Sequence, residues 1–561
     1  LAALVFPQAA TAQTAAALAP VGSKATRTAV AVKITPAERK IAEGVTAAQL
    51  KNYLYFVASD EMEGRDTPSR GLDTVAKFIG MNLERWGFKP AGDNGTYYQK
   101  IDLVRFKVNP STTTASIGGQ SLTYGADFLA NPASGSVSNA PLVFAGNGWF
   151  VKSKNLDPLN GLDVKGKVVV VYADNFPRGM TFQQLRASGR QGVDWMDPIT
   201  YAKQNGAVGV ISIATPAMTT NWDRLRRQRE QGAGYAVEKF RSNANDNFPA
   251  ITLSQKTAEA LFSGESNDLA KIAQIYGTSD PMPMFSFSPS KTATFSVTTD
   301  ADHAKTQNVV AIWEGSDPTL KNEMVAIGAH YDHVGMNPNA QGPDKIWNGA
   351  DDDGSGTVSV LSIAEALAKS PTRPKRSVLF VWHCGEEKGL WGSQYFNKYP
   401  TIDIRNVIAQ LNIDMIGRSQ DPKNIIKCGQ GHPCNEELSK SGEIYVIGKD
   451  MMSSMLGSIV DQTNKDYLKL SYNTRYDDPK DPNRFFFRSD HFNYAVNGIP
   501  ITFWFDGVHE DYHQPGDEPQ KIDYNKMEQV ARTILLTLWQ LTELKDRPKI
   551  DKQLPPELTQ R

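Results

Sequence analysis

Six short segments between Ala329 and Asp517 carry side chains able to hold a cation. In chain order they read GAHYDHVG (His330, Asp332), GADDDGSG (Asp351 to Asp353), WHCGEEKGLWGS (Glu386, Glu387), LNIDMIGR (Asp414), RSDHFNY (Asp490, His491) and DYHQPGD (Tyr512, His513, Asp517). Imidazoles and carboxylates without a cysteine set are the ligands of hydrolytic zinc sites, where an open coordination position activates water. Two histidines and several carboxylates suffice for two ions. Taken singly, each segment is ordinary, since a DDD run is commonly a solvated turn or helix cap and a Glu pair a surface pair. It is the ordered set that argues for a site.

The elements that must position these residues are legible around them. Apolar strand-like runs at 308–315 (NVVAIWEG), 323–330 (EMVAIGAH), 377–385 (SVLFVWHCG), 407–414 (VIAQLNID) and 499–507 (IPITFWFDG) alternate with helical patterns, among them 355–370. That alternation predicts an α/β fold, a doubly wound mixed sheet flanked by helices. A closing helix presents Met527, Val530, Ile534, Leu535, Leu538 and Leu541 on one face, and Ala47 to Trp86 also carries helical periodicity. In such sheets the site forms in the crevice at the carboxyl ends of the strands. His330, Glu386 with Glu387, and Asp414 each follow the last apolar residues of a predicted strand, so three segments converge on one edge.

Between about Ala140 and Thr292 the texture changes. VKGKVVVVYAD (Val164 to Asp174) is a near-continuous β-branched strand, and Asp197 to Ile213 reads as helix, Gly turn and buried strand. All eight histidines and all three cysteines lie after residue 300, so this segment supplies neither imidazole nor thiolate. The basic cluster Arg224 to Arg229 within it reads as a solvated helix face.

Composition narrows the function class. A chain of 561 residues is too long for one ordinary core and predicts two or three domains. Lys+Arg is 60 against Asp+Glu 61, so no basic field exists to hold nucleic acid or an anionic membrane. No apolar run reaches the roughly 20 residues of a membrane span. Leu1 to Phe6 followed by Ala10-Thr11-Ala12 before Gln13 reads as the tail of an export signal, with an Ala/Thr-rich disordered arm as the alternative; the first reading predicts a periplasmic or secreted protein. Cys428 and Cys434 bracket a loop short enough for a disulfide in an oxidising compartment. A site of these two cysteines with His432 would lack a fourth ligand, and Cys384 reads as a small buried hydrophobe.

The ordered motifs resemble the two-zinc exopeptidase family of aminopeptidase Y and glutamate carboxypeptidase, over roughly Ala47 to Lys545. The segment 140–292 looks like the β-rich protease-associated domain inserted into several exopeptidases. The resemblance implies a zinc exopeptidase fold of phosphorylase/hydrolase-like type, interrupted by that insertion. It divides the chain into an arm at 1–34, a first peptidase part at 35–139, the insertion at 140–292, the main peptidase part at 293–546 and a tail at 547–561.

Carried over residue by residue, the resemblance implies two Zn2+ per chain. One would be held by His330 and Asp414, the other by Glu387 and His513, with Asp352 bridging both. Glu386 would be the general base acting on a water between the ions, and Tyr512 the phenol that hydrogen-bonds the developing oxyanion. Asp490 and His491 would border the substrate pocket. Asp332 is a candidate to orient His330 through its second ring nitrogen, whereas His333, His383 and His509 read as structural or exposed. SDEMEGRDTPS (Ser59 to Ser69) matches a stretch common in the family, with no chemistry assigned to it.

The function so implied is an exported aminopeptidase acting on peptides. A carboxypeptidase on the same site is the alternative, and it would need a cation to capture a carboxylate, for which Arg418, Arg488 and Lys388 are the nearest residues in sequence. A non-catalytic, receptor-like protein on the same fold is a further alternative, against which the complete ligand set weighs.

Overall fold

A computed structural model describes residues 30–559 apart from 173, 175, 178, 242–246, 279–280 and 429–433. The export-signal segment and His432 lie outside the described residues. The chain forms two compact units, one made of residues up to Ile101 together with Lys305 onward, the other of Asp102–Ala304.

The second unit is built on a sheet whose strand order is Gln120–Leu122, Thr114–Ile117, Thr292–Val297, Gly135–Ala145, Val168–Val171, Gly209–Ile213, Ala250–Leu253 and Phe128–Ala130. Parallel ladders join residues 142–144 to 168–170, 168–171 to 209–212, and 210–213 to 250–253. The unit extends beyond 140–292 at both ends for a packing reason. Ala115 and Phe128 share one apolar core with Phe295 and Val297, and the long strand Gly135–Ala145 crosses the expected boundary.

The first unit is organised around four parallel strands. Ser377–His383 pairs with Met324–His330, which pairs with Val407–Ile413, which pairs with Ile501–Phe505. Antiparallel strands flank this group, with residues 309–313 against Ser377–His383 on one side and Glu443–Ile447 against Ile501–Phe505 on the other. The sheet is therefore mixed, as its alternating pattern predicted.

Residues of Ser377–His383 alternate between two layers. Leu379 and Val381 pack with Phe396, Phe492 and Tyr494 from the helices Trp391–Lys398 and His491–Val496. Trp382 points the other way and donates its indole N–H to the carbonyl of Thr357, in the helix Gly356–Lys369. Helices thus cover both faces. The closing helix Tyr524–Glu543 is capped by the Asp523 side chain, which accepts the N–H of Lys526 at 3.1 Å, and buries all six residues of its expected apolar face.

Both ends of the described chain are tied down. The N–H groups of Val30 and Ile34 donate to Ser458 Oγ and Asp466 Oδ2 at 3.2 and 2.8 Å. In the tail, Asp551 accepts the N–H of Ser454 at 2.9 Å and Leu558 is buried in the core. Among the described residues no helix is long and apolar enough to cross a membrane.

Candidate metal centre

The four parallel strands deliver the site. His330 ends one strand and Asp414 directly follows its neighbour, while Glu386 and Glu387 lie just past the end of Ser377–His383. Asp352 arrives from the turn before the helix Gly356–Lys369, and His513 from the loop after Ile501–Phe505.

The decisive geometry belongs to Asp352, which is buried. Its Oδ1 lies 3.2 Å from His330 Nε2, and its Oδ2 lies 3.0 Å from His513 Nε2. Asp414 Oδ1 stands 3.6 Å from the same His330 nitrogen. On the other side, Glu387 Oε1 is 3.0 Å from His513 Nε2. One carboxylate therefore faces two separate clusters, His330 with Asp414 and His513 with Glu387, which is the donor arrangement of a bridged pair of cations.

The three consecutive aspartates divide the work. Asp351 Oδ1 accepts the N–H of Gly417 at 2.7 Å, and its Oδ2 lies 3.3 Å from His509 Nε2. Asp353 lies near His330 and Asp414, but its two oxygens accept the N–H groups of His330, Gly356 and Met415 at 3.1, 2.9 and 3.2 Å. Both hold backbone, and only Asp352 turns its oxygens to His330 and His513. Asp517 also serves the backbone, accepting the N–H groups of Asp351 and Asp352.

The electrostatics separate the two adjacent glutamates. Burial raises the Glu386 carboxyl well above the usual range; His330 opposes the shift, and Glu387 and Asp414 add to it. Burial and the charge of Asp352 also act to raise Glu387, yet the imidazoles of His333 and His513 prevail and its carboxyl is lowered. Two neighbours pushed in opposite directions suit opposite roles, proton acceptor and charged ligand. The cluster as a whole calls for positive charge. Although burial lowers His513, the Asp352 and Glu387 carboxylates push it up to about 10. Buried carboxylate and imidazole atoms without hydrogen-bond partners, including Asp352 Oδ2, Glu387 Oε1 and His513 Nε2, fit a cation better than each other.

Some sequence expectations land elsewhere. The carboxylate of Asp332 does not orient His330; its Oδ1 is 3.7 Å from His330 Nδ1, whereas the carbonyl of Asp332 lies at 3.2 Å. That carboxylate instead accepts the N–H of Glu386 at 3.1 Å. His491 stacks on Phe503 with ring centroids 4.5 Å apart and, like Asp490, is buried. The cleft beside the cluster is lined by Glu386, Asp414, Phe485, Arg488, Phe503, Phe505 and Tyr512 among others, so His491 stands behind the wall rather than in it. Tyr512 stacks on His513 and accepts a hydrogen bond from Arg488 at 3.0 Å. Of the other cations considered, Arg418 is engaged by Asp511 and Lys388 by Asp66. Cys428 and Cys434 form a disulfide with Cα atoms 4.9 Å apart, and Cys384 is free and buried.

Two further residues stand at the site. His333, read from the sequence as structural or exposed, is buried against Glu387 and Asp352. Arg65, from the stretch Ser59 to Ser69, is fully buried and donates to the carbonyls of Tyr331, Val57, Asn348 and Gly349 at 3.0, 2.9, 2.6 and 2.8 Å. It ties the His330 loop to the Asp352 loop, and the same stretch reaches the glutamate loop where Thr67 Oγ1 accepts the N–H of Gly385 at 3.2 Å. The available signal was an Arg beside acidic residues in a segment that otherwise reads as helical connector.

Residues 308–538, the segment that carries the site, match the model of Peptidase family M28. The chain is 32% identical to a probable leucine aminopeptidase 2 of Aspergillus oryzae, over 37% of this chain and 35% of that one. It is 28% identical to leupeptin-inactivating enzyme 1 of Streptomyces exfoliatus, over 38% of each. Among solved structures it resembles an aminopeptidase from Aneurinibacillus sp. strain AM-1 at 18% identity, covering 92% of this chain and 98% of that chain with a TM-score of 0.48. The chain spans 58% and 35% of the length of the first two curated relatives it matches.

Proposed function

We propose that the protein is an exported aminopeptidase using two zinc ions, held by His330, Asp414 and Asp352 on one side and by Glu387, His513 and Asp352 on the other. The observation that carries this reading is the division of the Asp352 oxygens between His330 and His513. Bound zinc would supply Lewis acidity and bring a water within reach of deprotonation near neutral pH. Glu386, with its raised carboxyl, is the group that takes that proton and returns it to the leaving amine. Its backbone N–H is fixed by Asp332. Tyr512 accepts from Arg488, which leaves its own O–H free to donate to an oxygen developing negative charge. Phe485, Phe503 and Phe505 in the cleft wall keep bulk water away and offer an apolar side chain a surface.

The carboxylates Glu386 and Asp414 in the cleft favour a substrate with a free α-amino group, in keeping with the names of the relatives. Arg488 favours the second reading, a carboxypeptidase, because it alone of the three cations considered lines the cleft. A paired assay decides between them, using one peptide with a free or acetylated N-terminus and a free or amidated C-terminus. Loss of cleavage on acetylation alone supports the aminopeptidase; loss on amidation alone would replace it with the carboxypeptidase. The disulfide suits export, and the insertion is read as a protease-associated domain.

A further inference from the structure

We propose that His333 is a fourth protein ligand of the second ion, beside Asp352, Glu387 and His513. The inference rests on the two-ion reading above and goes beyond the ligand set which that reading assigns.

The imidazole of His333 is wholly buried, and neither ring nitrogen has a hydrogen-bond partner. An imidazole hidden from water with both nitrogens unmet costs free energy unless something else meets them. Its Nδ1 lies 3.0 Å from Glu387 Oε1 and 3.7 Å from Asp352 Oδ2. His513 Nε2 lies 3.0 Å from the same two oxygens, and the two imidazole rings meet edge to face with centroids 5.6 Å apart. All four atoms are close together, yet all four lack a hydrogen bond. The four atoms lie within 4.8 Å of one another without hydrogen-bond alignment, a grouping that a shared cation would satisfy.

The surrounding chain is built to admit this ring. The backbone N–H of His333 donates to the carbonyl of Arg65 at 3.1 Å, which sets the loop. Gly349 lies against the ring face with φ at +56°, and a Cβ there would come within 2.5 Å of His333 Cγ. Only a glycine both adopts that backbone conformation without strain and leaves room for the imidazole.

The ligand count then differs between the ions. The second has four protein ligands, the number of a closed zinc site, and the first has three, His330, Asp414 and Asp352, the number of a site that keeps a position for a reactant. Glu386 stands on the side of the three-ligand cluster, its Oε2 4.0 Å from His330 Nε2.

The test uses the full chain, stripped of metal and titrated with zinc in a calorimeter, together with X-ray absorption at the zinc edge on the loaded protein. The expected result is two zinc sites in the parent, with three imidazoles shared between them. His333→Ala and His333→Gln should each weaken one site by more than about 100-fold, beyond the cost of losing an outer hydrogen-bonding partner, and leave the other unchanged. Retained affinity in His333→Gln with loss in His333→Ala would overturn the proposal, because a Gln amide can hydrogen-bond Glu387 but is a poor zinc ligand. Should the variants fail to fold, the parent's absorption spectrum decides alone, and two imidazoles instead of three overturns the proposal while leaving the two-ion reading intact. A parent that binds no zinc overturns both.

Discussion

Asp517 accepts the backbone N–H of Asp352 at 3.1 Å, so the residue that faces both halves of the site is held through its own main chain by a second carboxylate. Removing that acceptor should loosen Asp352 without touching any ligand. Asp517→Ala is expected to weaken zinc binding by about 10- to 100-fold, the usual cost of an outer partner. Calorimetric titration against the parent chain measures this, and unchanged affinity in a folded variant would refute it.

The two glutamates should separate cleanly. Glu386→Gln is expected to keep both metals and lower kcat by about 10²- to 10⁴-fold, because it removes proton transfer and leaves the ligands in place. Glu387→Gln should lose affinity at one metal site. Elemental analysis beside turnover reads both, and the reverse pattern would exchange the two roles.

Arg65 offers a sharper contrast between charge and shape. Its guanidinium reaches four carbonyls from three directions, which a Lys ammonium cannot reproduce. Arg65→Ala should cost about 3–5 kcal/mol of stability, since several buried acceptors lose their partner at once. Arg65→Lys should recover only part of that. Denaturant unfolding of the three proteins gives the order, and a Lys variant equal to the parent would show that charge alone suffices.

A pH dependence arises away from the metals. Burial raises the Asp477 carboxyl from its ordinary 3.8 to about 6; the N–H of Gly448 and the charge of Lys449 oppose the shift, and Asp450 and Asp461 assist it. A folded-state value above the unfolded one means that the folded form binds the proton more tightly. The stabilisation is therefore full below about pH 4 and is lost as the pH rises through 6. Asn imitates the protonated acid and still accepts the Gly448 N–H, which lies 2.7 Å from Asp477 Oδ1. With allowance for the partial exposure of this side chain, Asp477→Asn should exceed the parent in stability by about 1–2 kcal/mol at pH 8 and match it at pH 4. Melting curves across that range test the claim.

The sequence made the strand-end residues legible because their chemistry and their position coincide. His330, Asp414, Glu386 and Glu387 follow apolar runs that can only be buried strands, and such strands point their carboxyl ends at a common edge. What stayed hidden depends on which way a side chain turns in a loop. Asp351, Asp352 and Asp353 are identical in type, and only the backbone decides which of them faces both His330 and His513. His333 lies three residues past His330 beyond a predicted strand, where no period indicates direction. Arg65 was opaque because its partners are carbonyl oxygens, which every residue carries. The limits of the inserted unit were misplaced because strand texture changes near 140, whereas the packed core takes in residues from Val108 to Val297.

The guanidinium of Arg65 and the carbonyl of Tyr331 are separated by 266 positions of chain, with the whole of the second unit between them. A polypeptide emerging from the ribosome delivers residue 65 early and must hold it without those acceptors until residues 331, 348 and 349 arrive. Closing so long a loop is slow and entropically costly, and its reward comes only on completion. Assembly of the candidate site is thereby coupled to synthesis of the chain at least as far as Gly349. A chain cut between Arg65 and Ser69 and deprived of the upstream piece would retain every candidate ligand and still lack the strut that brings their loops together.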